Sequence, residues 1–207
     1  MALPGFQHLQ HYCSAAAQQD LLDEVRRAIA EAPLYTPTMP RSGRPMSVRM
    51  TNCGSLGWVT DKAGGYRYQS THPITGVAWP LMPRPLLELW RELAGVNLLP
   101  EACLVNYYGA AAKLGLHQDM DEEERSAPVI SVSLGDDAWF RVGGLMRTDP
   151  TERILLTSGD VVVLGGEARM AFHGVDRILA GTSDLLTKNS GFDGGRINLT
   201  LRRVSPA

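Results

Sequence analysis

Three residues in the second half of the chain are of the types that bind a divalent iron: His117, Asp119 and His173. Two histidines and one carboxylate can occupy one face of an octahedral metal and leave three positions open. The bare His-x-Asp spacing is a weak signal, because such a pair more often lies on the surface. A single histidine among apolar neighbours is likewise more often a core residue. The three residues therefore predict a metal site only if the fold brings them together.

A second polar group lies near the C-terminal end, where polar and apolar residues alternate along the segment RINLTLR. Residues two apart lie on the same face of a strand, so one face carries Arg196, Asn198, Thr200 and Arg202. A solvated strand face would show the same alternation, although Lys, Glu and Thr are the usual residues there. Arginine binds carboxylates through two parallel hydrogen bonds. Two arginines on one face therefore indicate a site for a dicarboxylate.

The segment ACLVNYYG adds an amide and a phenol that are two residues apart, Asn106 and Tyr108. On a strand these side chains share a face and can complete the hydrogen bonds around the same small acid. A metal with open positions beside a dicarboxylate site is typical of an oxygenase that consumes 2-oxoglutarate. The two polar groups together predict that chemistry.

The composition is that of an ordinary globular protein. The chain has 207 residues, 44% hydrophobic and 20% charged, which is enough to fill one domain. No apolar run approaches the roughly 20 residues of a membrane span, and the first residues do not resemble a signal peptide. Cys13, Cys53 and Cys103 are few and far apart, which argues against disulfides or a cysteine-rich zinc site. We therefore expect a cytoplasmic protein.

The net charge of −2 weakens the case for a nucleic-acid partner, because it provides no overall attraction to phosphate. A local basic face is still compatible with it, and its candidate members are Arg41, Arg44, Arg49, Lys62 and Arg67. From charge alone, scattered solvated side chains are the favoured interpretation of these residues.

The predicted elements divide the chain into a helical, irregular first half and a β-rich second half. Residues 14–32 and 84–95 each predict an amphipathic helix, and Ser14 is placed to cap the first one. Residues 33–47 contain four prolines and predict a loop. Residues 48–80 are rich in glycine and aromatic residues and predict hairpins and loops that lie over another part of the protein.

After Pro100, short β-type runs follow one another, most of them separated by Gly, Asp or Pro, which predicts a sandwich or a barrel. His117 and Asp119 share a face at the end of one such run, where a rigid sheet can support metal ligands. Residues 180–195 predict a polar loop before the last strand.

Several stretches carry a resemblance to a known family. They occur in order from Val48 to Arg203: MTNCGSLGW, GYRY, ACLVNYYGAAAKLGLHQDMDE, APVISVSLG, VGGLMRTDP, GDVVVLGGEARMAFHGV and RINLTLR. The frame H-x-D…H…R-x-N-x-x-x-R is similar to that of the Fe(II)/2-oxoglutarate dioxygenases. The MTNCG-x-LGW segment resembles the AlkB family of alkylated-DNA repair enzymes within that group.

The resemblance implies a mainly β fold with flanking helices, a double-stranded β-helix or jelly roll, with an N-terminal nucleotide-recognition lid over its mouth. It divides one compact domain into three parts. Residues 1–47 are the N-terminal helix and loop, residues 48–80 are the lid, and residues 81–207 are the catalytic core.

The resemblance also implies roles for individual residues. Catalytic iron would be held by His117, Asp119 and His173. The 2-oxoglutarate site would contain Asn106, Tyr108, Arg196, Asn198 and Arg202. The alkylated nucleotide would meet Trp58, Tyr66, Asp121 and Arg147.

This chain departs from the family pattern at three places. One extra residue lies between Trp58 and Tyr66, so Tyr68 is an alternative to Tyr66. Tyr107 stands where the family has a basic residue, and the segment 180–195 is longer than in the family.

The implied activity is oxidative demethylation of N-alkylated bases of the 1-methyladenine and 3-methylcytosine type. Fe(II) is the cofactor, 2-oxoglutarate and O₂ are cosubstrates, and formaldehyde, succinate and CO₂ are released. The partner is alkylated single- or double-stranded DNA, with RNA as a further candidate, and we expect a monomer without membrane contact. Because the methyl group lies on the Watson–Crick edge, the base must leave the stack. Trp58 can stack on that base, or it can be a core anchor of the lid.

Three other interpretations remain open from the residues. A related dioxygenase could act on a protein or a small molecule and would lack the MTNCG-x-LGW segment. A metal-dependent hydrolase would need a general base beside the metal and no dicarboxylate clamp. A non-catalytic jelly-roll binding module would not need His117, Asp119 and His173 together.

Overall fold

Two antiparallel β-sheets form the centre of the protein in the computed structural model, which describes residues 3–188 and 191–206. The strands of the larger sheet are β1 Phe6–Leu9, β2 Arg49–Gly54, β5 Ala102–Tyr108, β7 Val129–Gly135, β10 Val161–Leu164 and β12 Arg196–Arg202. The strands of the smaller sheet are β6 Leu114–His117, β8 Asp137–Val142, β9 Glu152–Leu156 and β11 His173–Leu179. A separate hairpin consists of β3 Gly57–Asp61 and β4 Gly65–Gln69. Residues 1, 2, 189, 190 and 207 lie outside the described residues, although the predicted segments 1–47, 180–195 and 81–207 include them.

The two sheets pack against each other through apolar side chains. The larger sheet has the strand order β1-β10-β7-β12-β5-β2, and the smaller one has the order β6-β11-β8-β9. Side chains from both sheets meet in one buried cluster that includes Val129, Val162, Phe140 and Val175. This arrangement of two packed antiparallel sheets confirms the predicted mainly β, jelly-roll architecture.

Two helices cover the outer face of the larger sheet. Their bounds are α1 Ala15–Glu31 and α2 Arg84–Leu93, and a 3₁₀ turn spans Gly166–Met170. The Ser14 Oγ accepts a hydrogen bond of 3.2 Å from the Ala17 amide, which confirms the predicted cap. Leu22 of α1 and Trp90 of α2 belong to the same buried cluster as Leu199 of β12. Among the residues described, no helix is both long and apolar enough to cross a membrane.

The helices determine the direction of the polar face of β12. Its apolar side chains pack in the cluster beneath the helices: Ile197, Leu199 and Leu201. Because side chains alternate along a strand, the polar residues must face the space between the two sheets. Those residues are all buried there: Arg196, Asn198, Thr200 and Arg202. The alternation predicted for this segment therefore describes a two-sided interior strand rather than a solvated one.

Strand β1 has no counterpart among the predicted elements. Its sequence FQHL is short and partly polar, so it carries no strong strand pattern. It pairs with β10 from Phe6 opposite Leu164 onwards. The Asp160 carboxylate binds the His8 Nε2 at 2.8 Å and accepts from the His11 amide at 2.8 Å. Tertiary contacts, rather than local propensity, therefore form this strand.

The segment 48–80 contains both a sheet strand and a hairpin. The prediction of hairpins and loops is wrong for β2, which pairs with β5 along its whole length as an edge strand of the larger sheet. The strand ends at Gly54, which has a φ of 114° and where a Cβ would lie 2.2 Å from the Glu101 carbonyl oxygen. The β3–β4 hairpin follows, as the pattern indicated.

The described part of the segment 180–195 has neither helix nor strand before β12 begins, as predicted. It is nevertheless anchored, because the Asp136 Oδ1 accepts hydrogen bonds from the amides of Thr182 and Ser183 at 3.0 and 3.1 Å. Leu186 is fully buried in the cluster beneath the helices. The loop is therefore attached to the back of the larger sheet.

We expect Leu199→Ala to lower the free energy of unfolding by about 2–5 kcal/mol, because it opens a cavity between β12 and the helices. Leu199 is 1% exposed. Urea titration measures the loss. The matched control is Leu81→Ala, whose side chain is 90% exposed and whose effect should stay within about 0.5 kcal/mol. Equal losses in the two variants would contradict this account of the core.

Candidate active site

The three predicted metal ligands meet at one end of the smaller sheet. His117 is the last residue of β6, His173 is the first residue of β11, and the two are direct cross-strand neighbours. The carboxylate of Asp119 lies 3.6 Å from the Nε2 atom of each histidine. One potential ligand atom from each of the three residues lies within 4.8 Å of the others.

The chemistry of this group fits a divalent metal. The Nδ1 atoms of His117 and His173 each lie 2.9 Å from a backbone carbonyl oxygen, of Gly115 and Ala171 respectively. A carbonyl only accepts, so each Nδ1 carries the proton and each Nε2 presents its lone pair toward Asp119. The Asp119 Oδ2 is buried and has no hydrogen-bond partner among the described residues. A buried carboxylate oxygen without a partner calls for a cation.

The protonation states of the group also suit metal binding. Burial and the neighbouring His173 lower the pKa of His117 to about 4, so this imidazole is neutral at pH 7. Burial opposes the ionisation of Asp119, but the charge of Arg202 outweighs it and holds the pKa of this carboxyl well below its usual range. Neutral imidazole and ionised carboxylate are the forms that coordinate metals.

The second polar group lies on three neighbouring strands. In the register of the larger sheet, Arg196 lies opposite Tyr108, and Asn198 lies opposite both Asn106 and Ser133. Because these residues alternate with outward apolar ones, their side chains share the inward face. The strand pairing therefore brings together the residues that the sequence placed in one dicarboxylate site.

Arg196 is fully buried and held by four hydrogen bonds. Its Nε donates to the Asn198 Oδ1 at 2.8 Å, and its Nη1 donates to the carbonyl oxygens of Asp136 and Leu156. Its Nη2 donates to the Ser133 hydroxyl. Burial lowers the pKa of Arg196 to about 10, so the group stays charged at neutral pH. Among the described residues, one N–H on Nη2 remains for a ligand.

Arg202 lies beside the metal group. Its Nη2 is 2.6 Å from the Asp119 Oδ1, and its Nη1 is 2.8 Å from the Glu122 Oε1 and 3.1 Å from the Tyr68 hydroxyl. Its Nε is buried and has no partner among the described residues. An unpartnered guanidinium N–H next to an unpartnered carboxylate oxygen fits a site that takes an anionic ligand and a metal together.

Both polar groups line one cavity of about 810 Å³, a volume suited to a small-molecule ligand. Its wall contains the whole metal group and four of the five residues of the predicted 2-oxoglutarate site: Asn106, Tyr108, Asn198 and Arg202. Arg196 lies behind this wall and does not contribute to it. The four predicted nucleotide residues also line the cavity: Trp58, Tyr66, Asp121 and Arg147.

Three of the predicted nucleotide residues contact one another, and the fourth, Arg147, contacts β6. The rings of Trp58 and Tyr66 are stacked, with centroids 5.6 Å apart and planes inclined by 22°. The Trp58 Nε1 donates to the Asp121 Oδ2 at 2.7 Å. The Arg147 Nη1 donates to the Leu116 carbonyl at 2.6 Å, next to His117. These contacts put an aromatic pair, a carboxylate and a cation around the mouth of the cavity.

The two candidate tyrosines of the hairpin occupy different depths. Tyr66 is 47% exposed and lies at the mouth on Trp58. Tyr68 lies directly opposite Trp58 in the hairpin register, and its hydroxyl contacts Glu122 and Arg202. Because the two tyrosines are two residues apart on β4, both lie on the same side of the hairpin as Trp58.

Sequence reasoning missed four residues that support the site: Glu122, Arg169, Ser131 and Ser133. The Arg169 Nη1 donates to the backbone carbonyl of Asp119 at 2.7 Å, and its Nη2 donates to Glu122 at 3.0 Å. Glu122 lies in a run of acidic residues, a pattern that is usually solvated, and nothing in the sequence distinguishes Arg169. The inward serines alternate with apolar residues in VISVSLG, so strand alternation was a signal that could have found them.

The amino-acid sequence matches the model of the 2OG-Fe(II) oxygenase superfamily over residues 5–202. The chain therefore belongs to this superfamily of oxygenases, which use Fe(II), 2-oxoglutarate and O₂, and the predicted enzyme class and cofactors are confirmed.

Within the superfamily, the chain is similar to AlkB proteins over nearly its full length. It is 50% identical over 205 residues to the alpha-ketoglutarate-dependent dioxygenase AlkB homolog of Caulobacter vibrioides, covering 99% of this chain and 90% of the relative. It is 42% identical to Escherichia coli AlkB, covering 95% of this chain and 88% of that protein. These relatives confirm the resemblance to AlkB.

The solved structure of OsALKBH1 shares the fold. It superposes with a TM-score of 0.81 at 33% identity and 98% coverage of both chains. Two further relatives are named for an activity. The DNA N(6)-methyladenine demethylase ALKBH1C of Arabidopsis thaliana is 32% identical and covers 97% of this chain, which spans 48% of that protein. The tRNA demethylase abh1 of Schizosaccharomyces pombe is 37% identical over 113 residues, which is 52% of this chain and 37% of that protein.

We expect Asp119→Asn to weaken Mn(II) or Co(II) binding more than about 100-fold, because it removes the negative charge of the ligand set while its amide oxygen still accepts from Arg202. Metal titration of the metal-free protein measures the affinity. The control is Asp121→Asn, two residues away in the same loop, which should bind metal as the wild type does. Unchanged metal affinity in Asp119→Asn would contradict the assignment of Asp119 as a metal ligand.

Proposed function

We propose that this protein is an oxidative demethylase that repairs N-alkylated bases of the 1-methyladenine and 3-methylcytosine type in DNA. RNA is a further proposed substrate. The observation that carries the proposal is the stacked pair of Trp58 and Tyr66, with Asp121, on the wall of the cavity that also contains the metal group. The names of the relatives support nucleic acid as the substrate class, because they include both DNA and tRNA demethylases.

In this proposal, His117, Asp119 and His173 hold Fe(II). Arg202 is the arginine at the metal end, because it contacts Asp119, and its free Nε is available to a carboxylate of 2-oxoglutarate. Arg196 lies six residues away on β12 and offers its remaining Nη2 hydrogen to the other carboxylate. The amides of Asn106 and Asn198 and the phenol of Tyr108 complete the set.

When bound, the iron, 2-oxoglutarate and O₂ supply the oxidation of a methyl C–H bond to an alcohol, and 2-oxoglutarate is converted into succinate and CO₂. The N-hydroxymethyl group then loses formaldehyde and restores the base. The protein's own part is to orient the base and the cosubstrate in one cavity. No acid or base residue is required at the methyl carbon.

The target base must leave the stack to reach this cavity. Stacking on an aromatic residue such as Trp58 is worth about 1–3 kcal/mol per base in single-strand binders. Methylation of N1 of adenine or N3 of cytosine makes the base cationic and leaves an exocyclic amino group beside it. The negative charge of the Asp121 carboxylate suits the cationic base, and the carboxylate can accept a hydrogen bond from the amino group. The Trp58 Nε1 holds the Asp121 Oδ2 in place. Arg147, at the same mouth, suits a phosphate.

We further propose that residues 48–80 contain the nucleotide-recognition lid, with β2 as its attachment to the core 81–207 and residues 1–47 as an N-terminal support. We propose a cytoplasmic location, and the three cysteines support it because all of them are free and buried. A monomer without membrane contact completes the proposal.

The decisive test is formaldehyde release, with iron and 2-oxoglutarate, from oligonucleotides that carry 1-methyladenine or 3-methylcytosine. The same sequences are supplied as DNA and as RNA, single- and double-stranded, with unmethylated oligonucleotides as controls. We expect formaldehyde from the methylated DNA at least. Turnover of 2-oxoglutarate without formaldehyde from any methylated oligonucleotide would leave the enzyme class intact and overturn the substrate, in favour of a protein or small-molecule substrate.

We expect Trp58→Ala to weaken binding of a methylated oligonucleotide by about 5- to 150-fold, the equivalent of one lost stack. Decarboxylation of 2-oxoglutarate in the absence of nucleic acid should fall much less, because Trp58 is not part of the proposed cosubstrate site. Fluorescence anisotropy and succinate formation measure the two quantities. Trp58→Phe, which keeps an aromatic face, should recover most of the binding. Equal losses in both assays would assign Trp58 a structural role.

A further inference from the structure

The β3–β4 hairpin contacts the loop that carries Asp119 through two adjacent acidic residues. We call residues 118–128 the metal loop. Trp58 and Tyr68 are directly opposite each other in the hairpin, so their side chains point to the same side. The Trp58 Nε1 donates to Asp121 at 2.7 Å, and the Tyr68 hydroxyl donates to the Glu122 Oε1. The element that meets the nucleotide is thus bonded to the element that holds the metal ligand.

Glu122 is the centre of a buried ring of charges. Its Oε1 accepts from Arg202 at 2.8 Å, and its Oε2 accepts from Arg169 at 3.0 Å. Both arginines also bind Asp119, Arg202 at the carboxylate and Arg169 at the backbone carbonyl. Two cations therefore join the same two acidic residues, and Tyr68 is the hairpin's contribution to this ring.

The Tyr68 hydroxyl has two partners in the ring. It donates to Glu122 and accepts from the Arg202 Nη1 at 3.1 Å. Burial raises the pKa of this phenol, so it is neutral and keeps its proton for Glu122. Three contacts orient the Arg202 guanidinium, with the Asp119 carboxylate, the Glu122 carboxylate and this hydroxyl. Of the three, the hydroxyl is the one that comes from the hairpin.

We propose that Tyr68 is a positioning residue that couples the hairpin to Arg202, so that nucleic-acid binding and 2-oxoglutarate binding strengthen each other. The proposal rests on the proposed function, in which the hairpin meets the base and the Arg202 Nε meets a carboxylate of 2-oxoglutarate. A ligand that holds the hairpin in place also holds the Tyr68 hydroxyl, and the hydroxyl fixes the direction of Arg202. Because binding linkage is reciprocal, 2-oxoglutarate raises the affinity for the oligonucleotide by the same factor.

The test measures 2-oxoglutarate binding by calorimetry to the Mn(II) protein without O₂, with and without a saturating methylated oligonucleotide. We expect the oligonucleotide to raise the wild-type affinity by about 5-fold or more, the lower end of measured couplings between sites. In Tyr68→Phe, which removes only the hydroxyl, this factor should fall to about one, and the affinity without oligonucleotide should fall severalfold. Metal affinity should not change, because the three ligands are intact.

The matched control is Tyr107→Phe. Tyr107 lies on β5 and its hydroxyl donates to the Gly194 carbonyl at 3.1 Å, away from the ring. This variant loses one hydrogen bond of the same kind and should keep both the coupling factor and the 2-oxoglutarate affinity of the wild type.

Two results would overturn the inference. One is a wild-type 2-oxoglutarate affinity that does not respond to bound oligonucleotide, and the other is a Tyr68→Phe variant that keeps the wild-type coupling. If no methylated oligonucleotide binds the wild type, the proposed function fails. The role of Tyr68 in orienting Arg202 is then still decided by the 2-oxoglutarate affinity of Tyr68→Phe measured alone: an unchanged value overturns it.

Discussion

Four charged side chains, one of them a proposed metal ligand, lie buried side by side, and the charge of each is stabilised by the others. Asp119, Glu122, Arg169 and Arg202 are all less than 7% exposed. A charge in such surroundings is unstable without an opposite partner and hydrogen bonds, and removing one partner costs more than the pair contributes. The negative charges of the two acids balance the positive charges of the two arginines, which allows Asp119 to stay ionised and available to a metal. The remaining structure around the site keeps these four residues in place.

The larger sheet and its helices supply that support. Apolar side chains of β12 pack beneath α1 and α2, so the polar side chains of the same strand must point between the sheets. A register slip of one residue would turn Arg196, Asn198 and Arg202 toward the helices. Hydrophobic packing on one face of the strand therefore specifies the position of the charges on the other face. The hydrogen bonds of Arg196 to Asn198, to Ser133 and to the Asp136 carbonyl fix its orientation.

The hairpin is joined to this framework by apolar packing and by polar contacts. Val59 of β3 is buried in a cluster with Met50 and Leu104 of the larger sheet. Trp58 and Tyr68 bond to two successive acids of the metal loop, and Tyr66 is left nearly half exposed. In the proposed function, substrate recognition and support of the cosubstrate site share one hairpin, with the two roles on Tyr66 and Tyr68, two positions apart.

Much of this protein follows from the amino-acid order alone, because strand alternation is a local property. The alternating residues of RINLTLR, the pair Asn106 and Tyr108 and the cap at Ser14 all have a period or a neighbour that can be read along the chain. β1, Glu122 and Arg169 have no such signal. A partly polar strand of four residues forms because β10 offers it an edge, and an acid in a run of acids is buried because two arginines, 47 and 80 residues away, reach it. Whether a buried charge has a partner depends on distances in space, so the tertiary structure was needed to identify these residues.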